Sequence, residues 1–157
     1  MAFKPHPNGG GLVEDTAYVA ESAYVGPDAV VRDNARVLDS ARIYGNAQVY
    51  DDAKVYGAAQ VYDNAQVYDD AQVYDDAKVY DDAKVYGAAQ VYGEAQVYGF
   101  VWVWDYAEIY GEAHVYGSAW VNDNSQVYGK AHVYGDAHVY GDEQVSFNAR
   151  VFGSGLT

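Results

Sequence analysis

Valine or isoleucine stands at every sixth position of this 157-residue chain, from residue 13 to residue 151. All 24 sites of this register are Val or Ile, and no insertion shifts the phase. A spacing of six does not stay on one side of a helix with 3.6 residues per turn, so an amphipathic helix is excluded. A period this strict is typical of a repeat protein whose units stack on copies of themselves.

A second register lies two residues before the first. Twenty of its 24 sites are Ala, and the exceptions are Gly11, Val101, Ser125 and Glu143. Residues two apart in an extended chain face the same side, so the Ala and the Val of each unit form one apolar face. Val also favours a pleated strand. Each unit is therefore predicted to contain a short strand with a buried face.

The position two residues after each Val predicts a corner. It is Gly or Asp at 21 of the 24 sites. Gly reaches positive φ at no steric cost, and Asp tolerates it better than most residues. Three equal sides close most simply into a triangle, so three six-residue units form a coil of 18 residues and 24 units form eight coils. Parallel pairing of coils at about 4.8 Å predicts a rod on the order of 38 Å long.

The repeat resembles a known family. Stretches such as "AQVYGEAQVYG" (residues 89–99) are similar to the bacterial hexapeptide-repeat family, whose units read aliphatic-x-x-x-small-x. The resemblance covers residues 11–154 and implies an all-β, single-stranded left-handed parallel β-helix, a β-solenoid of triangular cross-section. The left hand follows from the resemblance and not from the period. The subtype with Tyr after Val resembles Tyr-rich repeat proteins of bacteria and phages.

The chain divides into an N-terminal arm (1–10), the β-helix (11–154) and a short tail (155–157). The arm lies outside the repeat register and contains Pro5, Pro7, Gly9 and Gly10. No apolar run follows Met1, so we expect no signal peptide and a location in the cytoplasm or in a phage particle. A net charge of −14 disfavours nucleic acid and anionic membranes as partners. The absence of Cys excludes disulfides and thiolate metal sites.

Residues 18 apart should lie one above another, which turns the sequence into a map of the surface. Phe100, Trp102 and Trp104 alternate with inward Val residues, and Trp120 falls directly on Trp102. The predicted aromatic face consists of Phe100, Trp102, Trp104, Trp120, Tyr86, Tyr140 and His138. Apolar patches of this kind usually mark an interface, so we expect a homodimer or another homo-oligomer. A glycan platform and a stiffened face without a partner are the alternatives.

One corner column is unusually acidic. Asp51, Asp52, Asp69 and Asp70 are predicted to lie close together, and calcium favours oxygen clusters of this type. The alternative is a solvated turn in which Asp serves the same backbone role as Gly. Calcium bound adventitiously at this corner is possible, and we expect no cofactor.

Catalysis is the main rival to a structural role. The resemblance implies acyltransfer, in which a His acts as general base and acyl-CoA binds between neighbouring rods. This chain lacks the protruding loop that commonly shapes such sites, and His114 beside Glu112 is the one acid–base pair that the sequence offers. We therefore expect a non-catalytic, rigid β-solenoid that acts as a structural or binding module, with an acyltransferase-like enzyme and a glycan-binding module as alternatives.

Overall fold

The computed structural model describes residues 2–153, and every regular element in this range is a β-strand. In chain order the strands are Phe3–Pro5 (β1), Leu12–Glu14 (β2), Tyr18–Val19 (β3), Tyr24–Val25 (β4), Val30–Val31 (β5), Arg36–Val37 (β6), Arg42–Ile43 (β7), Gln48–Val49 (β8), Lys54–Val55 (β9), Gln60–Val61 (β10), Gln66–Val67 (β11), Gln72–Val73 (β12), Lys78–Val79 (β13), Lys84–Val85 (β14), Gln90–Val91 (β15), Gln96–Val97 (β16), Trp102–Val103 (β17), Glu108–Ile109 (β18), His114–Val115 (β19), Trp120–Val121 (β20), Gln126–Val127 (β21), His132–Tyr134 (β22), His138–Val139 (β23), Gln144–Val145 (β24) and Arg150–Phe152 (β25). Residues 2–153 contain no helix that is both long and apolar enough to cross a bilayer.

The strands form three sheets, one for each side of a triangular prism. The Trp face runs β1-β2-β5-β8-β11-β14-β17-β20-β23, the His face runs β4-β7-β10-β13-β16-β19-β22-β25, and the Gln face runs β3-β6-β9-β12-β15-β18-β21-β24. From β2 onward the neighbours are parallel, and each residue pairs with the residue 18 positions later, as Val61 does with Val79. The predicted all-β solenoid of about eight 18-residue coils is confirmed.

The interior is built from the two small apolar registers. From Ala23 to Val139, the Ala and Val side chains of both registers have no exposed surface. Ser125 replaces Ala in this interior, and its hydroxyl donates a hydrogen bond to the carbonyl of Asn122 at 2.7 Å. Burying each Val stabilises the rod by roughly 1.5–3 kcal/mol before the cost of ordering is counted. A two-residue strand with one apolar side of Ala and Val is stable only when it is stacked on the strands of neighbouring coils.

The corners need a left-handed backbone. Positive φ occurs at every corner position from Asp33 to Gly153, as at Asp69 (φ 56°) and Gly87 (φ 63°). Gly87 has a second constraint, because a Cβ on it would lie 2.8 Å from the backbone nitrogen of Asp105 in the next coil. Several corner carboxylates also bind the coil above, since the N–H of Gly87 donates to Oδ2 of Asp69 at 3.1 Å.

The N-terminal arm folds back on the first coil. β1 pairs antiparallel with β2, so that Lys4 opposes Val13 at the edge of the Trp face. The carbonyl of Asn8 accepts a hydrogen bond from the N–H of Val25 at 3.1 Å, which covers the edge of the His face. His6 is buried between these two contacts. The arm thus occupies the starting edges of two of the three sheets.

The last described coil departs from the repeat. Phe147 occupies a corner with φ 56° although it is neither Gly nor Asp, and its side chain is 80% exposed. Phe152 continues the Tyr column by packing on Tyr134, with ring centroids 5.2 Å apart. Residue 154 and the tail assigned to 155–157 lie outside the described residues.

Candidate interaction surface

The Trp face carries two outward columns of side chains. The first column holds the residue before each inward Val, namely Leu12, Val30, Gln48, Gln66, Lys84, Trp102, Trp120 and His138. The second column holds the residue after it, namely Glu14, Arg32, Tyr50, Tyr68, Tyr86, Trp104, Asn122 and Tyr140. Strands β14, β17, β20 and β23 fix these positions, because Lys84 pairs with Trp102, Trp102 with Trp120, and Trp120 with His138.

The first column contains a continuous stack of rings. The Trp102 and Trp120 centroids lie 5.7 Å apart with the planes at 12°, and His138 stacks on Trp120 at 4.5 Å and 11°. At the opposite end, Nζ of Lys84 lies 5.3 Å from the Trp102 ring centroid, which is within cation–π range. The indole planes therefore pack against one another, and their edges point away from the rod.

The rings of the second column pack against those of the first. Tyr86 stacks on Trp104 at 5.9 Å and 6°, and it makes an edge-to-face contact with Trp102 at 6.5 Å and 74°. Trp104 and Trp120 make an edge-to-face contact at 5.9 Å and 74°. Edge-to-face contacts of this kind suit the ring quadrupole and fix the orientation of both columns. Tyr86, Trp102, Trp104, Trp120 and His138 thus form one connected aromatic cluster.

Two residues of the predicted face lie at its margin. Phe100 sits on the corner after Gly99, outside the two-residue strand β17, and its side chain is 64% exposed. Tyr140 is separated from Trp104 by Asn122 and is 55% exposed. Among residues 2–153, the aromatic ring contacts do not include Phe100 or Tyr140. Trp102 and Trp120 keep 39% and 40% of their surface exposed.

Sequence reasoning missed Lys84 as a member of this cluster. The signal was present, because Lys84 lies 18 residues before Trp102 and the same rule placed Trp120 on Trp102.

Sequence reasoning also missed the hydrogen bonds between the Tyr hydroxyls and the next coil. Tyr74 donates to Oε1 of Gln90 at 3.1 Å, and Tyr80 to Oε1 of Gln96 at 3.2 Å, each across 16 residues.

These bonds accompany regular Tyr ladders on all three faces. Successive rings such as Tyr62 and Tyr80 stack with centroids 4.8 Å apart and planes within 3°. Burial in the ladder, followed by the repulsion between neighbouring phenolates, raises the pKa of Tyr62 and of Tyr80 to about 12. At Tyr92, burial and then a hydrogen bond to Oε2 of Glu108 at 3.0 Å also raise the pKa of the phenol. The ladders stiffen the rod while the Tyr hydroxyls are protonated.

The acidic corner forms an open cleft of about 520 Å³. Asp51, Asp52, Asp69 and Asp70 line it together with Tyr106 and other residues. Within residues 2–153, no three His, Cys, Asp or Glu side chains are arranged so that they could hold a metal ion. Asp69 has a φ of 56°, which is the backbone role that the turn alternative assigns to Asp, and its Oδ2 accepts the Gly87 N–H.

The histidine pair on the His face forms a stack of its own. His114 and His132 stack at 5.1 Å and 10°, and the edge of Tyr98 contacts His114 at 6.3 Å. Burial, followed by the repulsion from His132, lowers the pKa of His114. Oε2 of Glu112 lies 3.2 Å from Nζ of Lys130, in an exposed ion pair. The carboxylate that the acid–base pair requires is therefore engaged with Lys130.

Comparison with known proteins agrees with this architecture. A family model described as "YdcK Beta solenoid repeat" matches residues 41–57, 47–63 and 59–75. Neither the curated proteins nor the solved structures gave a match. The matched stretches lie in a regular part of the repeat, where the Ala register, the Val or Ile register and the Gly or Asp corners follow the period without exception. The chain is a β-solenoid repeat protein.

Proposed function

We propose that this chain is a non-catalytic, rigid rod that associates with a second copy of itself through the Trp face. The observation that carries the proposal is the connected cluster of Tyr86, Trp102, Trp104, Trp120 and His138 on one side of a straight repeat. Exposed apolar patches of this kind mark interaction sites. Trp and Tyr are also enriched among the residues that dominate the binding energy of protein interfaces.

The charge distribution supports this face as the contact. The chain has a net charge of −14, so two copies repel one another at most orientations. Among the described residues, the one carboxylate of the two columns is Glu14, which is buried and accepts the N–H of Asp33. Arg32, Lys84 and His138 lie on the same face. Contact through this face therefore places the acidic corners at the rim, where water and salt screen them.

The ring geometry favours a protein partner over a glycan. A sugar ring stacks on an open aromatic face, but here Trp102 and Trp120 cover each other, with Lys84 and His138 at the two ends. The neighbours on both sides leave only part of each indole face free, and Trp102 and Trp120 are 39% and 40% exposed. Edges that project from a flat sheet pack between the side chains of another sheet, as in the interior of stacked β-structures.

Sedimentation of a matched set of variants tests the proposal. Trp102→Ser with Trp120→Ser should reduce the dimer to a monomer, while Tyr110→Ser with Tyr128→Ser, which removes two stacked rings from the Gln face, should leave the dimer intact. Circular dichroism checks that each variant keeps its strands. An unchanged dimer in the Trp variant would refute the role of the Trp face, and chitin- or cellulose-type oligosaccharides that bind the wild type in calorimetry would favour the glycan alternative.

A further inference from the structure

We infer that the two copies pack in parallel and in register, related by a two-fold axis that runs along the rods. This inference rests on the proposed function, since it names how the Trp faces meet. A symmetric contact between two identical faces allows two arrangements. With the axis along the rods, the first column of one copy meets the second column of the other at the same coil. With the axis across the rods, the copies are antiparallel and each column meets itself.

The outward columns favour the parallel arrangement. There Trp102 meets Trp104 of the second copy, and Lys84 meets the Tyr86 ring of the second copy, twice by symmetry. A Lys ammonium placed over an aromatic face is attractive. The antiparallel arrangement centred between Trp102 and Trp120 instead places Lys84 opposite His138, so that two basic side chains meet.

The two corners that flank the Trp face point to the same arrangement. One corner carries the carboxylates of Asp51, Asp69 and Asp123, and the corner on the other side carries Asn46, Asn64 and Ser118 at the same coils. In the parallel dimer each of these carboxylates faces the amide or hydroxyl of the second copy, which can donate to it.

Like charges meet at three of the eight coils of the parallel contact. At two of these coils Asp69 faces Asp63 and Asp142 faces Asp136 of the second copy. At the third coil Asp33 faces Asp28 of the second copy, but Nη1 of Arg32 lies 2.5 Å from Oδ2 of Asp33 and neutralises it. In the antiparallel contact the acidic corner faces itself, so that Asp105 opposes Asp123. Unpaired like charges across an interface are costly.

The buried surface area also distinguishes the parallel from the antiparallel arrangement. In the parallel dimer the whole Trp face meets its copy, and eight coils at about 4.8 Å with a face roughly 15 Å wide bury on the order of 1,100 Å² in total. An antiparallel dimer centred on the Trp pair overlaps only from Lys84 to His138. It therefore buries about half as much, which is below the size of a specific interface.

Distances between spin labels in the dimer test this inference. The chain has no Cys, so single cysteines at Ser40→Cys and at Lys130→Cys, on the corner away from the Trp face, carry one label per copy. In the parallel dimer both sites give the same inter-copy distance, because each label lies level with its counterpart. In the antiparallel dimer the Ser40 site lies about 38 Å apart along the rod and the Lys130 site about 10 Å, so the two measured distances differ clearly.

Equal distances at the two sites support the parallel dimer. Unequal distances overturn it and leave the Trp face as the interface. A chain that stays monomeric, with no inter-copy distance at either site, overturns the proposed function as well. The same labels in the Trp102→Ser and Trp120→Ser background should lose the inter-copy signal, which confirms that the distances arise from this face.

Discussion

Trp102 and Trp120 are 18 residues apart in the chain, yet their ring centroids lie 5.7 Å apart because they are direct partners in β17 and β20. The same relation puts His138 on Trp120 and Lys84 on Trp102. One turn of the solenoid thus converts four scattered residues into a single stack. The coil length of 18 residues determines which side chains are neighbours on this surface. The sequence between two partners affects their pairing only through its length.

The interior Val residues should each make a measurable contribution to stability. Val79 has no exposed surface, so Val79→Ala should lower the free energy of unfolding by about 2 kcal/mol through lost burial and the cavity left behind. Lys78→Ala on the same strand changes an outward side chain and should stay within about 0.5 kcal/mol. Urea unfolding measures both. Equal effects of the two variants would contradict the inward register.

The corner at Phe147 should be a point of strain that substitution relieves. A bulky residue with φ 56° pays roughly 1–2 kcal/mol for the left-handed backbone, a cost that Gly avoids. Phe147→Gly should therefore stabilise the last coil by about 1 kcal/mol, as read from the hydrogen exchange of that coil. Phe147→Ala keeps the strained backbone and serves as the control. A gain of the same size in the Ala variant would show that the ring, and not the backbone, is the source.

The Tyr ladders should make the rod sensitive to alkali. Because burial raises the pKa of Tyr62, Tyr68 and Tyr74 to about 12, the folded state binds these protons more tightly than the unfolded chain, in which the pKa is near 10. Their contribution is fully present below pH 10 and is lost as the pH rises through about 12. Tyrosinate absorbance should therefore rise late in the native protein and near pH 10 in urea. Coincident titration curves would contradict the ladders.

A substitution at Glu108 tests the cause of the raised pKa at one phenol, that of Tyr92. Its carboxylate accepts the Tyr92 hydroxyl at 3.0 Å, and after burial this bond is the next cause that raises the pKa of Tyr92. Glu108→Gln keeps an acceptor but removes the charge, as in the Tyr74–Gln90 pair. The variant should lower the pKa of Tyr92, which the NMR shift of its ring carbons follows with pH. An unmoved titration would mean that the bond is absent in solution.

Calcium should act on the acidic corner only by screening. Asp51, Asp52, Asp69 and Asp70 line an open cleft, but no three of the described His, Cys, Asp or Glu side chains are placed to hold one metal ion. We therefore expect millimolar calcium and magnesium to raise the melting temperature by the same small amount. A rise specific to calcium, and abolished by Asp51→Asn with Asp69→Asn, would establish the calcium site that the composition of the corner suggests.

The sequence predicted the fold because the period of six leaves few solutions. Val and Ala two residues apart fix which side is buried, and Gly or Asp two residues after Val fixes where the chain turns. The contact between Trp102 and Trp120 followed from the coil length alone. The left hand and the hexapeptide-repeat subtype stay predictions, since they come from resemblance and not from the spacing.

Other features depend on side-chain rotamers or on irregular sequence, and the period does not specify them. The bond from Tyr74 to Gln90 joins positions 16 apart, which a column map with steps of 18 does not bring together. The orientation of Trp104, which makes an edge-to-face contact with Trp120, is set by packing within the cluster. The antiparallel strand Phe3–Pro5 lies in an arm with two Pro and two Gly, where neither spacing nor propensity indicates a strand.

The mass of the unmodified chain in solution tests the central claim most directly. Sedimentation equilibrium over a wide range of concentrations at moderate salt should give twice the chain mass, with dissociation only at high dilution, because we propose the Trp face as the surface on which two copies meet. A mass equal to one chain at every concentration would contradict the account of the Trp face as an interface.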